Sequence, residues 1–133
     1  MNLRTFLIVV AVLVLGAGAI AVFKTGKQDV SEALFITEDQ IETGSIIVRM
    51  TPDGIVPQDI TISRGEKVVW LNVSGTYAWP ASDLHPTHAI YSAFDPLEPI
   101  PDGQAWVFAF DQAGEWKFHD HLKPNRRGVV KVN

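Results

Sequence analysis

Residues 114–128 read GEWKFHDHLKPNRRG, and the rest of the chain is organised around them. Gly114 opens the stretch as a turn. Glu115 to His121 then alternates in the manner of a strand. Trp116, Phe118 and Asp120 fall on one face, and Lys117, His119 and His121 on the other. With the strand running to His121, a rise of ~3.3 Å per residue sets the two imidazoles ~6.5–7 Å apart, near enough to reach one ion. The Pro124–Gly128 segment reads as a Pro/Asn/Gly loop, and Val129 to Val132 as the closing strand.

Upstream the period stays near two. Gln104 to Phe110 places Trp106, Phe108 and Phe110 on one face, and Asp111-Gln112-Ala113-Gly114 turns the chain into the stretch above. Val68 to Val73 is an apolar run suited to a central strand. Ser45 to Met50 is rich in β-branched residues and ends at the turn signal Thr51-Pro52-Asp53-Gly54. Ile55 to Ser63 follows, with Pro57 confining part of it to an edge or a bulge. The aromatic stripe Trp70, Trp106, Phe108, Phe110, Trp116 and Phe118 reads as core. Short strands between Gly/Pro/Asp turns point to an all-β sandwich or barrel over 45–133.

One stretch has no period. Residues 74–104 carry Pro80, Pro86, Pro96, Pro99 and Pro101, and hold the other two histidines in His85-Pro86-Thr87-His88. A loop of this length is functional or disordered, and Trp79, Tyr91 and Phe94 argue for a loop packed onto the domain. All four histidines of the chain therefore lie in two short pairs.

Composition excludes several chemistries. With 133 residues the chain is one domain of ordinary size. A formal charge of −4 gives no reason to expect a nucleic-acid partner. With no cysteine there is no disulfide, thiolate–zinc site or Cys nucleophile. The N-terminus bears on location. Arg4 precedes an uninterrupted apolar run from Phe6 to Phe23, and Lys24 follows it. As a helix the run is ~27 Å long, near the lower limit for a membrane span. Residues 1–24 are expected to be a signal anchor with the domain outside, the charge at Arg4 setting the orientation. A signal peptide cleaved after Ala19-Ile20-Ala21 is the alternative. Residues 25–44 read as a linker, with a short helix starting at Asp29 or Ser31 as the other reading.

The segments IVPQDITISRGEKVVWLN, GQAWVFAFDQAGEWKFHD and PNRRGVVKV resemble a cupredoxin domain of the plastocyanin/azurin kind over residues 45–133. The resemblance implies a Greek-key β-sandwich of two sheets with copper at one end. Its ligand positions do not carry over. Asp120 stands where the family has its Cys, Lys123 where it has its second His, and Arg126 where it has its Met. The early His falls near Ala78 or Trp79. The chain is similar to a Cys-less branch in which HPxH in the long loop accompanies HDHL before the last strand. The two histidines around the replaced Cys resemble the His-Cys-His element of multicopper oxidases.

The metal ligands expected are His85, His88, His119 and His121, with Asp120 as an added oxygen ligand, as an acceptor orienting a His, or as an ion-pair partner of Lys123 or Arg126. Imidazole suits copper(II), nickel and zinc, and copper comes first in this fold. The function expected is an extracytoplasmic, membrane-tethered copper protein for copper handling or electron transfer. A metal-free binding module is the alternative, and a small metalloenzyme ranks third because no nucleophile–base motif is present. Trp79 and Tyr91 are candidates to shield the site. Lys123, Arg126 and Arg127 form a basic cluster beside the site, either a solvated face or a dock for an acidic partner or an anionic ligand, and a redox or copper-delivery protein is the partner expected.

Overall fold

A computed structural model describes residues 34–133. The apolar run from Phe6 to Phe23, and the helix starts at Asp29 or Ser31, lie outside them. Among the described residues no helix is long and apolar enough to cross a membrane.

The described chain is all-β, two sheets packed face to face. One sheet has the order β1 (Ile36–Thr37), β7 (Gln104–Ala109), β5 (Lys67–Asn72), β2 (Ile46–Met50) and β3 (Ile55–Val56). The other has the order β4 (Asp59–Ile62), β9 (Lys123–Val132), β8 (Gly114–Asp120) and β6 (Pro80–Ser82). The β2–β5 and β4–β9 pairs are parallel, and the remaining pairs are antiparallel. The strand β1 lies within residues 25–44, the stretch read from sequence as a linker, and pairs with β7 through Ile36 and Ala105. A 3-10 turn at Glu38–Gln40 follows it.

The inner faces meet in a core of Val48, Met50, Ile62, Val68, Trp70, Phe110, Phe118, Val130 and Val132. Trp70 is fully buried at the centre of the first sheet, as its apolar run required. Pro57 splits its stretch into β3 and β4, which belong to opposite sheets.

Two further segments differ from the sequence reading. The Pro124–Gly128 stretch is not a free loop, because β9 begins at Lys123. The hairpin turns at His121-Leu122, Asp120 faces Lys123, and His119 already faces Arg127. The residues between Lys123 and Arg127 bulge out of the ladder, which is how a strand accommodates Pro124. Gly128 then passes close beneath its neighbours. A Cβ there would stand 2.0 Å from the Gln58 carbonyl oxygen and 2.6 Å from Phe118 Cζ. The second difference is β6, which lies inside the aperiodic stretch. Pro80, Ala81 and Ser82 pair with Asp120, His119 and Phe118 as an edge strand, a position that tolerates proline.

The remainder of the long loop is held by side chains. Phe94 is fully buried, with its ring 5.0 Å from Trp70, 5.1 Å from Phe110, 5.4 Å from Phe108 and 5.9 Å from Phe118. Ser82 donates its amide to the Phe94 carbonyl (2.9 Å), and the Ala78–Ile100 bridge ties the loop's two ends together. Replacing Phe94 with Ala should lower the unfolding free energy by about 3–5 kcal/mol, the usual result of emptying a buried aromatic position. Urea denaturation measures it, and a loss under ~1 kcal/mol would mean that the loop is seated by something else.

Candidate metal centre

His119 is set by β8. Its strand position turns it away from the face that carries core residue Phe118, and it pairs with Ala81 on one side and Arg127 on the other. It is nevertheless 0% exposed, because the long loop covers this face. His121 follows the strand end, where its amide donates to the Trp79 carbonyl (2.7 Å). The loop brings the second pair. Asp83 donates its amide to Lys117 O (3.0 Å), and Tyr91 donates its amide to Ser82 Oγ (2.9 Å), which fixes the segment between. His88 sits in the left-handed region at φ 53, its amide donating to Leu84 O (2.6 Å). A non-glycine residue there carries strain of the kind found at functional sites.

The four imidazoles form a ring of neighbours. Ring centroids are 4.7 Å apart for His85–His121 and for His88–His121, 5.1 Å for His85–His119 and 5.3 Å for His88–His119. His119 and His121 face each other across it at 6.1 Å. One nitrogen from each residue lies within 4.8 Å of all the others. His88 Nε2 is 2.9 Å from His121 Nδ1, and His85 Nδ1 is 3.2 Å from His119 Nε2. His88 and His119 are buried, His121 is half-buried and His85 is exposed.

Two carboxylates stand behind this ring, and neither was singled out from the sequence. His119 Nδ1 donates to Asp83 Oδ1 (2.8 Å), and His88 Nδ1 donates to Asp95 Oδ2 (2.5 Å). Each bond puts the proton on Nδ1 and leaves the Nε2 lone pair facing the other imidazoles, the tautomer that a metal ligand needs. Asp83 also accepts from Arg127 Nη1 (3.0 Å). Asp95 also accepts from Trp79 Nε1 (2.8 Å) and the Leu97 amide (2.8 Å). Burial pushes the Asp95 carboxyl up, and the bonds from His88, Trp79 and Leu97 more than offset it, holding the carboxyl below its ordinary 3.8. The only sequence hint was proximity: Asp83 is two residues before His85, and Asp95 shares the loop with His88.

Asp120 is 1% exposed and points into the hairpin end. Its Oδ1 accepts from the amides of Trp79 (3.1 Å) and Leu122 (3.1 Å). The convergent nitrogens belong to the histidines alone. Among the described residues Asp120 makes no ion pair with Lys123 or Arg126. Arg126 instead donates to the carbonyls of Thr51 and Pro52, while Arg127 pairs with Asp83 from a side chain that is 53% exposed. Trp79 does flank the site, its ring 4.8 Å from His121. Tyr91 does not flank it: its hydroxyl donates to Asp111, its ring packs 4.7 Å from Trp116, and burial first and Asp111 second push its phenol up to about 12.

No family model and no curated protein matches the chain. Solved structures of amicyanin variants do. A reduced Cu(I) form at pH 4 aligns with a TM-score of 0.65 at 18% identity, over 74% of this chain and 91% of the amicyanin. An oxidised variant aligns with a TM-score of 0.66 at 18% identity over the same shares. Another reduced state gives 0.64 at 19%. The two-sheet sandwich is therefore a cupredoxin fold, here with a cluster of four histidines and no cysteine.

Burial holds the imidazoles of His119 and His121 below the ordinary 6.5, against the opposing pull of Asp83 on His119. For His121 the neighbouring His88 and His85 add to the effect. The folded metal-free protein thus binds fewer protons than the unfolded chain just below 6.5, and stability rises with pH through that window. The urea midpoint of the metal-free protein should therefore be highest above 6.5 and fall as the pH drops toward the lowered values. A midpoint unchanged from neutral pH to ~4.5, above the carboxylate range, would contradict the burial of neutral imidazoles.

Proposed function

We propose that this is an extracytoplasmic, membrane-tethered protein of cupredoxin fold that holds one copper ion through His85, His88, His119 and His121, for copper handling or electron transfer. The observation that carries the reading is the convergence of four imidazole nitrogens within 4.8 Å. The donor chemistry fits. Four neutral imidazoles suit copper(II), with zinc and nickel next, and no thiolate is present to favour copper(I). Copper would supply a single-electron couple or an ion to pass on. Asp83 and Asp95 fix His119 and His88 with Nε2 inward. His121 and His85 are the less buried pair, half-buried and exposed. The ion pair of Asp120 with Lys123 or Arg126, which a metal-free module would use to fill the vacated pocket, is absent among the described residues.

A redox or copper-delivery partner would meet the site at its rim, where His85, Leu84 (59% exposed) and Leu122 (44% exposed) lie open. Membrane tethering rests on the sequence of the N-terminal run and on Arg4 before it. On expression in a bacterial host the protein should stay with the membrane pellet after an alkaline wash, and external protease should reach the domain. Recovery in the soluble extracytoplasmic fraction, shortened to begin after Ala21, would instead establish the cleaved signal.

Titration of the metal-free protein with copper(II) tests the site. A single tight equivalent is expected, with nitrogen hyperfine splitting in the electron paramagnetic resonance spectrum. The intense blue absorption that needs a thiolate should be missing. His119→Ala with His121→Ala should abolish the binding. Equal binding by that double variant would remove the proposal.

A further inference from the structure

Two carboxylates, Asp83 and Asp95, bond the imidazoles directly, and a third, Asp120, lies next to His121 in the chain at the hairpin end. Asp83 and Asp120 are buried at 8% and 1% exposure, and the Asp95 side chain is 10% exposed. Asp83 and Asp95 each accept from the outer nitrogen of a buried imidazole, and Asp120 is fixed to the amide of Trp79, whose ring flanks His121. Among the described residues Arg127 is the one arginine or lysine within ion-pair distance of any of them, and it reaches Asp83 alone. Three acids against one guanidinium leave two formal negative charges around a set of neutral donors. A doubly charged cation balances that surplus, whereas a singly charged one leaves a negative charge in a poorly solvated place.

Building on the copper reading above, we propose that Asp83 and Asp95 make the site selective for a divalent ion, so that copper is held as copper(II) and bound far less tightly as copper(I). They are positioning residues that act through His119 and His88. A carboxylate accepting the outer N–H makes an imidazole a more basic donor, and its fixed charge favours the more highly charged ion. Both effects have the same sign. Arg127 opposes them through Asp83, so its removal carries the opposite sign. Within the copper reading, this favours handling of copper(II) over rapid cycling between two equally stable states. It also makes zinc(II) the natural competitor.

The test compares two affinities in one protein. The metal-free full-length chain is titrated with copper(II) against a competing chelator, and without oxygen with copper(I) against a copper(I) chelator. In Asp83→Asn and in Asp95→Asn, copper(II) affinity should fall about tenfold more than copper(I) affinity, in line with the weight of such outer partners. That is a rise of about 59 mV in reduction potential for each tenfold change. In Arg127→Gln, whose side chain is 53% exposed, the ratio should move the other way. Equal losses for both ions would mean that the carboxylates only orient rings, and the proposal would fall. It would fall too if Arg127→Gln moved the ratio in the same direction as Asp83→Asn. If either Asn variant fails to fold by circular dichroism, the other and Arg127→Gln decide the matter. A wild-type chain that binds neither ion defeats the copper reading itself, whereas copper bound with a charge-insensitive ratio defeats only this inference.

Discussion

The insertion of Phe94 into the sandwich is the contact on which the site depends. The ring occupies the space among Trp70, Trp106, Phe108, Phe110 and Phe118, so the long loop cannot leave without exposing the centre of the core. A buried phenyl group of this kind contributes roughly 1.5–3 kcal/mol by area alone. Asp95 is the next residue and is carried into place with it, to meet His88 and Trp79. At the loop's other end Asp83 is fixed by its amide bond to Lys117 O, and so reaches His119. Hydrophobic burial in one layer thus determines the hydrogen-bond geometry in another.

The polar layer is more exacting than the apolar one. A carboxylate removed from water costs several kcal/mol unless it is well bonded. Asp83 has an imidazole and a guanidinium, Asp95 has an imidazole, an indole and an amide, and Asp120 has two amides. Each is satisfied by protein groups, and two of them, Asp83 and Asp95, orient the imidazoles of His119 and His88. Such preorganisation lowers the ordering cost of binding. At ~6 Å and an effective dielectric of ~20, each fixed charge acts on a unit of ionic charge with ~3 kcal/mol. Charges one shell removed therefore weigh as much as several ordinary hydrogen bonds.

The sheets were legible because their signals are local. Alternation in Gln104–Phe110 and Glu115–His121, and the apolar run at Val68–Val73, gave strands within a residue or two of those formed. The separation of His119 from Phe118 by strand parity also needed nothing beyond the period of two. The failures lie where tertiary contacts override local signals. Pro124, Asn125 and Gly128 read as a loop because nothing local reveals that β8 holds the partner ladder and that a bulge absorbs the proline. Pro80-Ala81-Ser82 has no alternating pattern and forms a strand only because the edge of β8 is open to it. Asp83 and Asp95 escaped notice for a related reason. Asp83 and His119 are 36 positions apart, and one acidic residue in a polar loop looks like any other.

The displacement of the donors by one residue has a structural meaning. In the resemblance, the thiolate position falls at Asp120, which in this fold caps the hairpin by accepting the amides of Trp79 and Leu122. Its neighbours His119 and His121 carry the donors instead. Strand parity turns His119 to the outer side of the second sheet, away from Phe118. A site between two sheets is walled by both of them. On an outer face one wall is a sheet and the other is a loop, so the donors differ in burial. His119 and His88 are buried and braced by carboxylates, while His85 is exposed and His121 half-buried without such braces. Under the copper proposal, two braced donors and two less buried ones would give an ion a path of stepwise attachment.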